Sequence, residues 1–417
     1  MSTAFSTRRS FLSTLGALSA VGLLPSRSSA SNARSVIGSD LRLRRGLAAP
    51  DDFTFSPGLV YLQTGSLGPT PRPVRQRVID WWTEMELNPA AYGYGPHEIA
   101  MEGVRAKAAA LLNCKTEELV LTNCTTEGMN WVASGLSLSA GDRVLTTDQE
   151  HPGGRSCWDH VARRQGVAID IVVIPPGEND AQAIVDRFAR MITPRTRILS
   201  FSHLLSSTGL RMPVRDLSAL ARSRGCLAVV DGAQAVGGIA VDVKALGCHA
   251  YATSGHKWLL APKGTGLLYL SEEIGRAIDP IALEGGRAAY SNSSGVCSIP
   301  SVLGLGAAID YLSKIGLARV ERHNLELRNR LVEALKAVPK IRVVSAAPGP
   351  LASPLLTFAL PTEIKSGALH QALLDRHKIE VKVVPANWLN GNRISTHLFN
   401  TEREVDALVA ALTAELA

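Results

Sequence analysis

Val229-Val230-Asp231-Gly232-Ala233-Gln234 ends an apolar run on an acid, and 26 positions beyond that acid Ser254-Gly255-His256-Lys257 ends another on a lysine. The same texture extends outward from about Glu118. Short apolar runs stand at Leu119–Thr122, Arg143–Thr147, Ile169–Ile174, Arg197–Phe201, Cys226–Asp231, His249–Thr253 and Thr265–Leu270. Amphipathic stretches such as Ala181–Met191 and Val214–Ser223 separate most of them. Strands rich in Val, Ile and Leu that alternate with helices predict a mainly parallel sheet covered on both faces. The last strand is different. Only the ten residues Gly255–Gly264 lead into it, fewer than a parallel crossover needs, so it is expected to run antiparallel.

An acid and a lysine at the carboxyl ends of two such strands sit where open α/β sheets place ligands. Pyridoxal phosphate needs this pair. The lysine forms an imine with the cofactor aldehyde, and the acid keeps the pyridine nitrogen protonated so that the ring can absorb electrons. Asp231 alone reads as a turn or cap residue and Lys257 alone as a surface lysine. In this order, with Gln234 and His256 beside them, they read as a site.

Past Gly295–Ser301 the pattern changes. Val320, Leu327, Leu331, Leu335 and Val338 form one apolar helical stripe. Strand-like runs follow at Ile341–Val344, Leu355–Ala359 and Ile379–Val384, then a helix from about Glu402. A large domain over 51–294 and a smaller α+β domain over 295–417 are expected.

The first residues read as an address. Ser6-Thr7-Arg8-Arg9-Ser10-Phe11-Leu12 is a twin-arginine pattern, Phe11 to Leu24 is apolar, and Ser28-Ser29-Ala30 and Ser31-Asn32-Ala33 are alternative cleavage sites. Residues 1–33 are therefore expected to be a signal peptide for the twin-arginine translocase, which moves folded proteins. Export to the periplasm or beyond, with no stable membrane insertion after processing, follows. Loss of Arg8, Arg9 and Arg27 with the signal lowers the formal charge from +7 to +4. Most of the remainder lies in a basic arm, residues 34–50, with Arg34, Arg42, Arg44 and Arg45 against Asp40. The rest is nearly neutral, without the basic stripe of a nucleic-acid binder. Six scattered cysteines without C-x-x-C spacing predict neither a disulfide framework nor a metal site.

These motifs together resemble the class V aminotransferase branch of the fold-type I pyridoxal-phosphate enzymes, from about Leu59 to the C-terminus. Ser202-His203, Ser207-Thr208-Gly209, the Asp231 and Lys257 motifs, Gly264-Thr265-Gly266, Arg393-Ile394-Ser395 and Phe399-Asn400-Thr401 carry the resemblance in order. Gln63-Thr64-Gly65-Ser66-Leu67-Gly68-Pro69 brings it nearest to the isopenicillin N epimerase-like group. The resemblance implies that Thr125, Thr126, Ser254 and His256 hold the phosphate and that His151 stacks on the pyridine. It implies that His203 and Gln234 bond the phenolic oxygen, and that Arg393 grips a substrate carboxylate. It implies a homodimer as well.

Two departures stand out. Lys382-Val383-Val384-Pro385-Ala386-Asn387-Trp388 has no cysteine where desulfurases of the family carry their nucleophile, which disfavours a persulfide intermediate. Gly295-Val296 replaces the usual Gly-Thr whose threonine reaches the partner subunit's phosphate, with Ser293 or Ser294 as possible substitutes. The expected substrate is an amino acid or small peptide, altered at the carbon bearing its α-amino group by epimerisation or transamination. C–S lysis and a non-catalytic, cofactor-bearing binding protein are the alternatives. Tyr92-Gly93-Tyr94-Gly95-Pro96 and Trp158 read equally as pocket walls or as packing.

Overall fold

The computed structural model of the protein describes residues 46–49 and 51–417. The twin-arginine segment, both cleavage sites and most of the basic arm lie outside the described residues. At the arm's end, Leu47 and Ala48 pack on the core, and the Leu47 N–H donates to the Leu398 carbonyl.

The chain forms β1 (Val60–Tyr61), β2 (Leu119–Thr122), β3 (Arg143–Thr147), β4 (Ala168–Val172), β5 (Thr196–Ser202), β6 (Leu227–Asp231), β7 (Ala250–Ser254) and β8 (Gly266–Leu270). It continues through β9 (Arg342–Val343), β10 (Leu355–Ala359), β11 (Ile379–Glu380), β12 (Lys382–Val383) and β13 (Gly391–Ser395). Seven strands make the main sheet in the order β2-β8-β7-β6-β5-β3-β4. All neighbouring pairs are parallel except those of β8, which runs antiparallel to both β7 and β2. The short connection before β8 forces this reversal, as its length predicts. This is the α/β, fold-type I sheet expected from the sequence.

Helices cover both faces. Asp180 begins the helix Ala181–Met191 by accepting the N–H groups of Gln182 and Ala183, and Thr401 and Glu404 form a capping box at the start of Glu402–Leu416. One apolar layer holds Trp158, Val229, Ala252 and Leu268, and the opposite layer holds Phe201, Val230, Tyr251 and Leu267. The alternation of Val229 with Val230 between layers is the period of a strand buried on both faces. Trp158 is packing: it is fully buried, with Nε1 donating to Ser200 Oγ at 2.8 Å.

Toward the C-terminus, β12-β13-β10-β9 form an antiparallel sheet. Leu327, Leu331 and Leu335 of the helix Leu317–Leu335 pack there with Leu369, Leu373, Leu408 and Leu412. Each such side chain contributes roughly 1.5–3 kcal/mol when fully removed from water. Val338 lies past the helix end yet joins the same core. The run Ile379–Val384 is two strands rather than one. Ile379 and Glu380 pair with Val60 and Tyr61, and Lys382 and Val383 pair with Arg393 and Asn392. Buried Val381 marks the change of partner. Because β1 is pinned there, Gln63–Pro69 is led across the main sheet's edge, where the Gly68 N–H donates to the His256 carbonyl.

Candidate functional site

Because β2, β3, β5, β6 and β7 point the same way, their carboxyl ends meet at one edge of the sheet. A cavity of ≈ 490 Å³ opens there. Cys124, Thr125 and Thr126 follow β2, His151 follows β3, Ser206 follows β5, Asp231 ends β6, and Ser254, His256 and Lys257 come from β7, all lining it. Gly65, Ser66, Gln234, Arg393 of β13 and Lys382, Val384, Pro385 and Trp388 complete the lining.

Lys257 is half-buried. Loss of water, with repulsion from Arg393, brings its amine down to about 8, while Asp231 opposes the shift. The amine makes no hydrogen bond or salt bridge among the described residues. Burial raises Asp231, against the pull of the Ala233 N–H, Lys257 and His151. The Ala233 N–H donates to Asp231 Oδ1 at 2.9 Å. Gly154 lies against the other oxygen, and a Cβ there would collide with Asp231 Oδ2. Only glycine leaves room for that carboxylate.

The helix Thr125–Gly135 starts at the cavity. Ser254 Oγ accepts the Thr125 N–H at 3.0 Å and lies 2.7 Å from Thr125 Oγ1. With Thr126 beside them and a helix N-terminus behind, these groups suit an anion. His256 Nδ1 is buried without a partner at the same wall. His151 caps the helix Pro152–Gln165 through Nδ1, which accepts the Gly153 N–H at 3.0 Å, and burial lowers its pKa. Gln234 is fixed at both ends: Nε2 donates to the Gly65 carbonyl and Oε1 accepts from Trp258 Nε1.

Arg393 sits in the middle of a strand and is only 3 % exposed, unlike a surface arginine at a strand end. Nη1 donates to the Ser206 carbonyl and Oγ, Nη2 reaches Ser66 Oγ only at 3.4 Å, and Nε has no partner. One edge of the fork is therefore unsatisfied.

Of the residues the resemblance singled out, His203 alone lies outside the cavity lining. Its Nδ1 is 2.9 Å from the Tyr251 hydroxyl, and burial lowers its pKa to about 3. Sequence reasoning passed over Glu150, whose carboxylate accepts from Ser202 and Thr147 and is pushed up to about 7 by burial and by Asp231. Its position beside His151 was the available signal. Lys382 and Trp388 were passed over too, because their segment was read only for a missing cysteine.

The arrangement fits pyridoxal phosphate: an unpaired amine, an acid in a glycine-lined seat, an anion cradle and an unfilled histidine nitrogen. Comparison with known proteins agrees. Two isopenicillin N epimerases are similar to this chain, from Amycolatopsis lactamdurans (34% identical, covering 87% of this chain and 97% of that one) and Streptomyces clavuligerus (31%, covering 86% and 95%). A cysteine desulfurase of Salmonella newport is 32% identical over 75% of this chain and 82% of its own. Among solved structures, the cystine C–S lyase C-DES in complex with its product cysteine persulfide superposes with a TM-score of 0.77 at 24% identity, covering 85% and 97%. The family model "Aminotransferase class-V" matches residues 60–408, so that the lysine, the acid and the arginine all fall inside it, and the chain belongs to that family.

Proposed function

We propose that the cavity takes the α-amino acid portion of an amino acid or small peptide and works at its Cα, as an epimerase or a transaminase. One observation carries this: Lys257, Asp231 and Arg393, distant in sequence, line a single cavity. The cofactor is pyridoxal 5′-phosphate, which when bound supplies an electron sink for the bond broken at Cα. Thr125, Thr126, Ser254 and His256 hold its phosphate, and Asp231 holds a proton at the ring nitrogen. Arg393 offers its unsatisfied edge to the substrate carboxylate, a bidentate fit for a guanidinium. Lys257 moves the proton at Cα, for which an amine held near pH 8 is suited. The wall from Lys382 to Trp388 presents no cysteine, and Cys124 is the one cysteine lining the cavity, beside the anion cradle. This supports chemistry other than desulfuration through a persulfide.

The purified holoenzyme, mixed in D₂O with D- and L-amino acids, is expected to change its cofactor absorbance and to place deuterium at Cα. K257A is expected to lose the exchange by about 10²–10⁴-fold. Inversion without oxo acid marks an epimerase and oxo acid a transaminase. Sulfide from cystine would mark a C–S lyase, and no response to any amine a binding protein.

Because the Lys257 amine is protonated below about 8, covalent capture of the cofactor by apoenzyme is expected to quicken as pH rises through that value and then level off. Stopped-flow absorbance checks this; a rate independent of pH would contradict it.

We also propose a homodimer. Tyr94 and Val296, 61% and 65% exposed, line an apolar hollow of ≈ 350 Å³ with Met85, Met101 and Ile299, and such a patch calls for cover. Sedimentation velocity should give twice the monomer mass. A monomer at all concentrations would refute it.

Export by the twin-arginine route is the matching proposal for location, supported by Arg8 and Arg9 before the apolar stretch. Fractionation of cells should find the processed chain outside the cytoplasm, and R8K/R9K should retain it inside. Processing unaffected by that change would end the proposal.

A further inference from the structure

Lys382 and Arg393 are directly opposite each other on the antiparallel pair β12–β13. Side chains of such a pair leave the same face of the sheet about 4.5–5.5 Å apart at Cβ, and like charges there repel. Both line the main cavity. Among the described residues neither side chain forms a salt bridge: the Arg393 guanidinium bonds only serine oxygens, and the Lys382 amine has no hydrogen bond. Glu380, two residues before Lys382, is the nearby acid. Its carboxylate is engaged by Gln63 Nε2 and by His370 Nε2. The Lys382 charge is also felt at His151, another residue of the cavity lining.

Two unneutralised cations held side by side need anions. The unsatisfied Nε–Nη2 edge of Arg393 is filled by one carboxylate. Lys382 is left over, at the wall it shares with Val384, Pro385 and Trp388, apolar surface that suits a short aliphatic spacer.

We propose that Lys382 is a specificity-determining residue that binds a second acidic group on the substrate, so that the preferred substrate is an amino acid or small peptide carrying two carboxylates. This rests on the reading of Arg393 as the α-carboxylate ligand.

Amine-free acids test it without turnover. Glutarate and adipate are compared with valerate and hexanoate as ligands of the holoenzyme, by titration of the cofactor absorbance and by thermal stabilisation. Diacids are expected to bind about tenfold more tightly than monoacids, a ratio equivalent to about 1.4 kcal/mol. K382M removes the advantage while leaving monoacid affinity unchanged, and K382R keeps it. Equal binding of diacids and monoacids by the native enzyme overturns the proposal, and that comparison decides alone if K382M does not fold. Equal weakening of both classes in K382M also overturns it, since Lys382 would then share the α-carboxylate. If no amino acid alters the cofactor, the catalytic reading fails, while the preference for diacids still reports on the pair.

Discussion

Inside one cavity a lysine amine that burial disfavours is also repelled by a buried guanidinium, and a buried aspartate partly offsets both effects on the amine. Charges in such surroundings are costly unless paired, the penalty amounting to several kcal/mol per ion after relaxation. The protein tolerates the imbalance because the cavity is open and its rim can supply anions and protons from a ligand. Lowering of the Lys257 pKa and raising of the Asp231 pKa are two consequences of one cause, burial. Each group is pushed toward its neutral form.

The sheet makes this possible. Parallel strands deliver their carboxyl ends to one edge, so residues separated by more than a hundred positions converge without any long loop. β8 starts at that edge with Gly266, beside the end of β7, where a Cβ would collide with Cys124 and Thr253. The tight fit holds the start of the helix Thr125–Gly135 against the end of β7. The pairing of β1 with β11 performs the corresponding task for Gln63–Pro69, which would otherwise have no fixed path over Lys257.

Much of this was legible in the sequence. Strand runs such as Leu119–Thr122 and Arg143–Thr147, and the helices Ala181–Met191 and Val214–Ser223, agree with the structure residue for residue, because buried strands and amphipathic helices write their periods directly into hydrophobicity. The reversal of β8 followed from chain length alone. What escaped depended on partners. A six-residue strand-like run cannot announce that its halves bond to different sheets, as Ile379–Glu380 and Lys382–Val383 do. Polar β13, Gly391-Asn392-Arg393-Ile394-Ser395, carries little strand signal, yet all five residues are buried. Arg393 faces the site, and Asn392 Nδ2 donates to the Ser366 carbonyl. Lys382 gains meaning only from what stands across from it.

His203 shows how a residue can matter to a cavity that it does not line. Its ring bonds the Tyr251 hydroxyl, and the Tyr251 ring fills the space next to Gly232 so closely that a Cβ there could not coexist with it. The His203 N–H donates to the Asp231 carbonyl at 2.8 Å, and the Gly232 N–H to that of Ala252. Beyond Asp231 the turn is thus clamped by backbone on one side and by an aromatic ring on the other, and the Ala233 N–H holds the carboxylate itself. Glu150, a second carboxyl near Asp231, is raised by that acid's charge as well as by burial, so the two carboxyls resist being ionised together. The protonation of Asp231 is therefore governed by the surrounding layer as much as by its own carboxyl group. Burial keeps the His203 imidazole neutral, so that it adds no charge to the layer around Asp231.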